Sequence, residues 1–233
     1  MGAGDGVLLY VYRGATFRVP DDVQPPKAGS RFFVSHLTVR PGERVLELGC
    51  GLGLAAVLMA REGARVVATD VVPSAVAATR ANAILNGVDV DVRLGDCYAP
   101  VAGERFDLVC TNPPQMPTPS GAARDDAAAA ADNGGRDGWA LLDRVIDGAP
   151  AHLVPGGRLL FTIFAFLGRK RALAKLEARG FTPAVVASET QSFPRIGYER
   201  LDHLRRLDAE GTLPASGTPR TVERLVVEGR LSA

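Results

Sequence analysis

The chain has 233 residues, 27 Lys+Arg against 26 Asp+Glu, 46% hydrophobic residues and three cysteines. These numbers predict one domain with a full core, 1–233, and exclude a disordered, collagen-like or disulfide-scaffolded chain. A net charge of +1 gives no general electrostatic case for nucleic acid or an anionic membrane, so neither is expected as a partner.

No apolar run approaches the ~20 residues that span a bilayer, and the opening MGAGDGVLLYVYRG lacks the apolar stretch and cleavage site of a signal peptide. A cytoplasmic location is expected. Cys50, Cys97 and Cys110 form no C-x-x-C pair and sit in or beside apolar runs, so they read as reduced thiols with no metal site.

In chain order, Val7 to Tyr12 and Phe17 to Pro20 read as a small ribbon and Gly29 to Val39 as a helix. This segment, residues 1–40, is too short for a second domain and is expected to cap the core at 41–233. Lys27, Ser30, Phe32 and Phe33 are expected to fold over a pocket. Strands follow at Glu43 to Leu48, Ala64 to Asp70, Val88 to Leu94, Phe106 to Thr111 and Gly157 to Phe166, each a near-continuous apolar run.

Helices lie between them at Leu52 to Glu62, Pro73 to Asn86 and Trp139 to Leu153, punctuated by Pro73-Ser74, Asn86-Gly87 and Pro155-Gly156-Gly157. The tail adds a helix from Gly168 to Arg179, a run at Ala184 to Ser188, a charged helix near Tyr198 to Glu210 and a strand at Thr221 to Glu228. The alternation predicts an α/β fold: a Rossmann-like, seven-stranded, mostly parallel sheet with helices on both faces and an antiparallel hairpin at its C-terminal edge. Thr118 to Gly135 is a long loop directly after the fourth strand, with Gly134, Gly135 and Gly138 as candidate hinges of a lid.

Chemistry concentrates at three strand ends. The first strand runs into Glu47-Leu48-Gly49-Cys50-Gly51-Leu52-Gly53, where glycines let the backbone approach a ligand closely. About 20 residues on, the next strand ends in Asp70, placed to hold ribose hydroxyls. The G-x-G-x-G spacing, with an acid just before it, disfavours a pyrophosphate and suits a ligand bearing a cationic amino group. S-adenosylmethionine is therefore favoured over NAD. Gly95-Asp96-Cys97, at the end of the third strand, puts an acceptor where an adenine amino group could lie.

The fourth strand exits into Thr111-Asn112-Pro113-Pro114-Gln115. Two prolines stiffen that exit and leave its carbonyls as acceptors only. Asn112 adds a side-chain carbonyl, and two fixed acceptors suit an NH2 group whose lone pair must face an electrophile. Asn112, Pro113 and Gln115 are the candidate acceptor-site residues. His36, His152 and His203 show no ligand spacing, Trp139 reads as packing, and Arg169, Lys170, Arg171, Arg195, Arg200, Arg205 and Arg206 read as solvated charges.

With ELGCGLG, ATDVVPSAVAATRANAILNGV, GDCYAPVAGERFDLVCTNPP, LVPGGRLLF and the closing ERLVVE, the chain resembles class I S-adenosylmethionine-dependent methyltransferases with an NPPY-type site. The nearest branch is the release-factor glutamine methyltransferases and their short single-domain relatives. The resemblance implies that Glu47, Gly49, Gly51 and Gly53 cradle the methionine part of the cofactor and that Asp70 binds its ribose. It also implies that Asp96 and Cys97 lie by the adenine and that Asn112 and Pro113 hold the target nitrogen.

The chain departs from that family in having Gln115 where an aromatic residue is usual and only about 40 residues before the cofactor strand, where the bacterial enzymes carry a recruiting helical domain. The expected activity is accordingly S-adenosylmethionine-dependent N-methylation of an amide, amine or related nitrogen of a small-molecule acceptor. Methylation of a protein glutamine is the alternative. A non-catalytic cofactor-binding module and an NAD(P)-dependent oxidoreductase are lower alternatives, the latter opposed by the lack of a Tyr-x-x-x-Lys pair at Tyr198.

Overall fold

The computed structural model describes residues 8–119 and 132–232. A two-stranded antiparallel ribbon, β1 (Leu8–Tyr12) and β2 (Ala15–Val19), is followed by helix α1 (Ala28–Ser35). The main sheet has seven strands: β3 (Arg44–Leu48), β4 (Arg65–Asp70), β5 (Val90–Leu94), β6 (Phe106–Thr111), β7 (Leu153–Phe164), β8 (Phe181–Ser192) and β9 (Thr221–Leu231). Their order is β5-β4-β3-β6-β7-β9-β8, and β9 runs antiparallel to both of its neighbours. The helices are α2 (Leu54–Arg61), α3 (Pro73–Leu85), α4 (Ala140–His152), α5 (Arg169–Glu177), α6 (Arg195–Glu199) and α7 (Leu201–Leu207).

Successive residues of each inner strand enter opposite cores, which is why these strands are apolar throughout. Val45, Val66, Leu108, Cys110 and Leu160 pack with α1, α2 and α3 on one face. Leu46, Val67, Val109, Leu159 and Phe161 pack with α4, α5 and α7 on the other. The ribbon docks through asparagine side chains of α3 that imitate a neighbouring strand. Asn82 Oδ1 accepts from the Arg18 N–H (2.8 Å) while its Nδ2 donates to the Arg18 and Leu52 carbonyls, and Asn86 pairs with Thr16 in the same way.

Several expected boundaries move. The Pro155-Gly156-Gly157 turn is a bulge inside β7: Leu153 already pairs with Phe106, and pairing resumes at Arg158 opposite Leu108. The run at Ala184 to Ser188 belongs to a 12-residue strand, because β9 pairs along its whole length. Helix α1 ends at Ser35, where the side chains of Ser35 and His36 turn back to the Phe32 carbonyl. The charged tail helix is two short ones, α6 and α7, broken at Arg200. Among the described residues no helix is long and apolar enough to cross a membrane.

The strand order explains where the site forms. From β3 the chain builds outward through β4 to β5, then returns to β6 on the other side of β3. The carboxyl ends of β3 and β6 therefore diverge at a topological switch point, the crevice in which open α/β sheets bind ligands.

Candidate active site

The glycine turn after β3 and the Asn-Pro-Pro corner after β6 open into one cavity of about 1200 Å³. Their parent strands are neighbours, with Glu47 opposite Cys110 in register. The Thr111 hydroxyl donates to the Leu48 carbonyl (2.8 Å) and ties the two exits together.

Gly49 and Gly51 have φ of +75° and +53°, a region costly to other residues, and a Cβ on either would point into open space. Asp70 locks this turn: its Oδ2 accepts from the Gly51 N–H and its Oδ1 from the Val72 N–H, both at 2.9 Å. Gly53, expected to touch the cofactor, is absent from the cavity wall. A Cβ there would sit 2.9 Å from the Thr79 methyl, so this glycine serves the close approach of α2 to α3.

Glu47 lies at the back of the cavity, 5% exposed. Burial pushes its carboxyl up to about 8, Asp70 adds to the rise, and the backbone N–H of Ala56 opposes it. Its Oε2 is buried and has no hydrogen-bond partner. A buried oxygen left this way fits a ligand that brings a cationic donor. The open glycine backbone, the orphaned Glu47 oxygen and Asp70 suit the amino group and ribose of S-adenosylmethionine.

Asp96 and Cys97 line the same cavity. The Asp96 carboxylate is exposed and paired with Arg144 of α4 (2.7 Å), so the expected free acceptor already has a partner. Cys97 adopts an unusual φ of +49°.

At the acceptor corner, Asn112 Oδ1 accepts from the Thr162 hydroxyl at 2.6 Å, with Arg224 Nη1 at 3.4 Å. Gln115 turns into the wall and is 3% exposed. Its Oε1 accepts from the Phe164 N–H (2.7 Å), and its Nε2 donates to the carbonyls of Thr162 (3.2 Å) and Pro113 (3.3 Å). Gln115 lines the cavity and braces the Pro113 carbonyl against β7.

The N-terminal segment covers the cavity: Lys27, Ser30 and Phe33 line it. Phe32 does not; it is buried and packs edge-on against His36, so its expected place over the pocket is corrected. Gly134 and Gly138 are packing glycines, since a Cβ on either would meet the Gln115 backbone or the Leu167 side chain closer than 3 Å. Residues 116–118 pair with 132–135 at the base of the long loop. The lid expected there falls largely on residues 120–131, outside the described residues.

Trp139 is fully buried and donates to the Leu167 carbonyl, with Arg171 and Lys175 over its ring. His36, His152 and His203 bond the carbonyls of Phe32, Gly148 and Arg136. Arg200, read as solvated, is half-buried and holds the Pro117 carbonyl and the Thr118 hydroxyl, while Arg195 is exposed as expected and lines the cavity. Thr162 and Arg224 were not apparent from the sequence, because no local pattern marks a strand residue that meets a loop 50 or 112 positions away.

A family model described as the methyltransferase small domain matches residues 25–129. A Methanocaldococcus jannaschii chain provisionally named as a protein N5-glutamine methyltransferase is 32% identical over 181 residues, covering 77% of this chain and 91% of that one. The release factor glutamine methyltransferase of Cereibacter sphaeroides is 35% identical over 206 residues, covering 82% and 71%. Among solved structures, the E. cuniculi Mtq2–Trm112 complex, responsible for methylation of the eRF1 translation termination factor, superposes with a TM-score of 0.60 at 20% identity, covering 91% of this chain and 99% of that one. These identities, over most of both chains, lead to one conclusion: the chain belongs to the class I S-adenosylmethionine-dependent methyltransferases, in the branch of the release-factor glutamine methyltransferases and their short relatives.

Proposed function

We propose that this methyltransferase modifies the side-chain amide nitrogen of a glutamine in a protein, a release factor being the first candidate. The observation that carries this reading is the common cavity, which Asn112 and Pro113, with their carbonyl acceptors, line together with Glu47 and its orphaned oxygen. The names of the relatives above favour a glutamine over the small-molecule acceptor expected from the sequence.

S-adenosylmethionine, when bound, supplies a methyl carbon already activated by its sulfonium. Glu47 would take the amino group, Asp70 the ribose, and the open backbone of Gly49 and Gly51 the chain between them. Asp96 and Cys97 would flank the adenine. Alignment of nitrogen and methyl carbon can lower the barrier by about 7–11 kcal/mol without an acid or base on the reacting atoms, and the proton displaced from the nitrogen would pass to water.

An amide nitrogen is a weak nucleophile, its lone pair being delocalised into the carbonyl. Asn112 Oδ1 and the Pro113 carbonyl would accept its two hydrogens and favour the pyramidal, electron-poor nitrogen that develops in the transition state. The Thr162 hydroxyl keeps Asn112 turned for this task, and Gln115 keeps the Pro113 carbonyl in place. The segment from Lys27 to Phe33 would exclude water from above.

The reading is tested by incubating the protein with tritiated S-adenosylmethionine and purified release factors, then mapping the label by peptide mass spectrometry. A methyl group on a glutamine side chain supports it. Label on lysine or arginine alone, or turnover only with small amides, overturns it.

A further inference from the structure

We propose that Arg224 is an acceptor-recognising residue: its guanidinium takes the carbonyl oxygen of the amide whose nitrogen is held at Asn112 and Pro113, and so selects a neutral amide over a protonated amine. The inference rests on the amide reading above and adds what sets the acceptor class.

Arg224 sits on β9 opposite Phe164 of β7, and its guanidinium carbon lies 3.9 Å from the centre of the Phe164 ring. On the side of α1 it meets Gly29, where an added Cβ would come within 2.9 Å of it. An aromatic face and a bare backbone thus confine the planar group, and its edge lines the cavity.

The fork is incompletely used. Nη1 makes only long contacts, 3.4 Å to Asn112 Oδ1 and 3.5 Å to the Thr162 hydroxyl. Nε is sealed from solvent and has no partner. Asp132 and Glu189 act on the group only through space, and burial pulls it down to about 10, which leaves it charged at neutral pH. A guanidinium carries five donors and is costly to seal away unless oxygens meet them.

The position of this cation decides the acceptor's chemistry. It stands within reach of the Asn112 oxygen that would hold the reacting nitrogen, so an ammonium there would face a like charge. An amide nitrogen is neutral, and the amide oxygen, one carbon away, is the acceptor that the fork lacks. Pro113, Asn112 and Arg224 together would bind all three polar sites of a primary amide.

Two measurements test this. The first compares wild-type protein with Arg224→Met and Arg224→Lys, using acceptor peptides that carry either glutamine or ornithine. Loss of the charged hydrogen bond should raise KM for the glutamine peptide about 10- to 100-fold in Arg224→Met. S-adenosylmethionine affinity should stay within about twofold, and preference for glutamine over ornithine should shrink. Arg224→Lys should recover less than half of the loss, because an ammonium cannot present the fork.

The second is independent of turnover and of any folding failure in a variant. In 15N-labelled wild-type protein loaded with S-adenosylhomocysteine, acetamide should shift the Arg224 Nε–Hε resonance and methylammonium should not. A resonance unmoved by acetamide, or unchanged KM in Arg224→Met, overturns the inference. If wild-type protein methylates no glutamine while acetamide still moves that resonance, the protein-substrate reading fails and the role of Arg224 stands.

Discussion

Replacing Glu47 with glutamine separates the cost of the cofactor site from its use. The buried carboxyl is raised from 4.5 to about 8, chiefly by desolvation. A folded-state value above the unfolded one means that its contribution to stability is fully present below about pH 4.5 and is lost as pH rises to about 8. That rise corresponds to about 5 kcal/mol lost by the ligand-free protein across the window. Glu47→Gln keeps an acceptor for the Ala56 N–H and never ionises. The variant should match wild type near pH 4.5 and exceed it at pH 8 and above, by a Tm difference on the order of 10–20 °C in ligand-free melts.

Binding should move the opposite way. If Glu47 takes the cofactor's ammonium as proposed, the carboxyl returns to its ionised form, and wild-type protein should expel close to one proton on binding at pH 6 to 7. Titration calorimetry in buffers of different ionisation heat reads that proton. Glu47→Gln should release none and should bind S-adenosylmethionine about 10- to 100-fold more weakly. A Tm difference that does not change with pH, or a variant that binds as tightly as wild type, would refute the reasoning.

Three further substitutions probe the frame around the cavity. Asn112→Ala removes one of the two acceptors proposed for the target nitrogen; transfer should fall about 10²- to 10³-fold while calorimetry finds cofactor affinity within about twofold. Gln115→Leu leaves the Phe164 N–H and the Thr162 carbonyl unmet. It should cost about 2–4 kcal/mol in urea unfolding and reduce kcat more than cofactor affinity. Asn82→Ala strips the ribbon of one of its two asparagine anchors on α3. A loss of about 2–3 kcal/mol is expected, with hydrogen exchange at the Arg18 amide quickening more than at amides of β3.

Much of this molecule can be read locally. The two-sided burial of β3, β4 and β6 appears as unbroken apolar runs, and the glycine turn, Asp70 and the Asn-Pro-Pro corner appear as short strings of distinctive residues. Each is written within about ten positions, on the scale over which backbone conformation is determined. The N-terminal segment is less legible, because Phe32 and Phe33 are adjacent and equally apolar, and only the docked helix decides which one faces the cavity.

Tertiary structure alone decided how those strings meet. Local pattern foretold strands and turns, but the sheet order places the ends of β3 and β6 side by side, and pairing across it leaves one Glu47 oxygen without a partner. Gln115 stands in sequence as an acceptor-site candidate, and only the fold gives its side chain two backbone partners on β7, the Thr162 carbonyl and the Phe164 N–H. Arg224 lies 112 positions from Asn112, and no local pattern singles it out. Inserting β9 between β7 and β8 carries it into the cavity, since a strand threaded into a sheet brings its side chains to faces that its own neighbours in sequence do not specify.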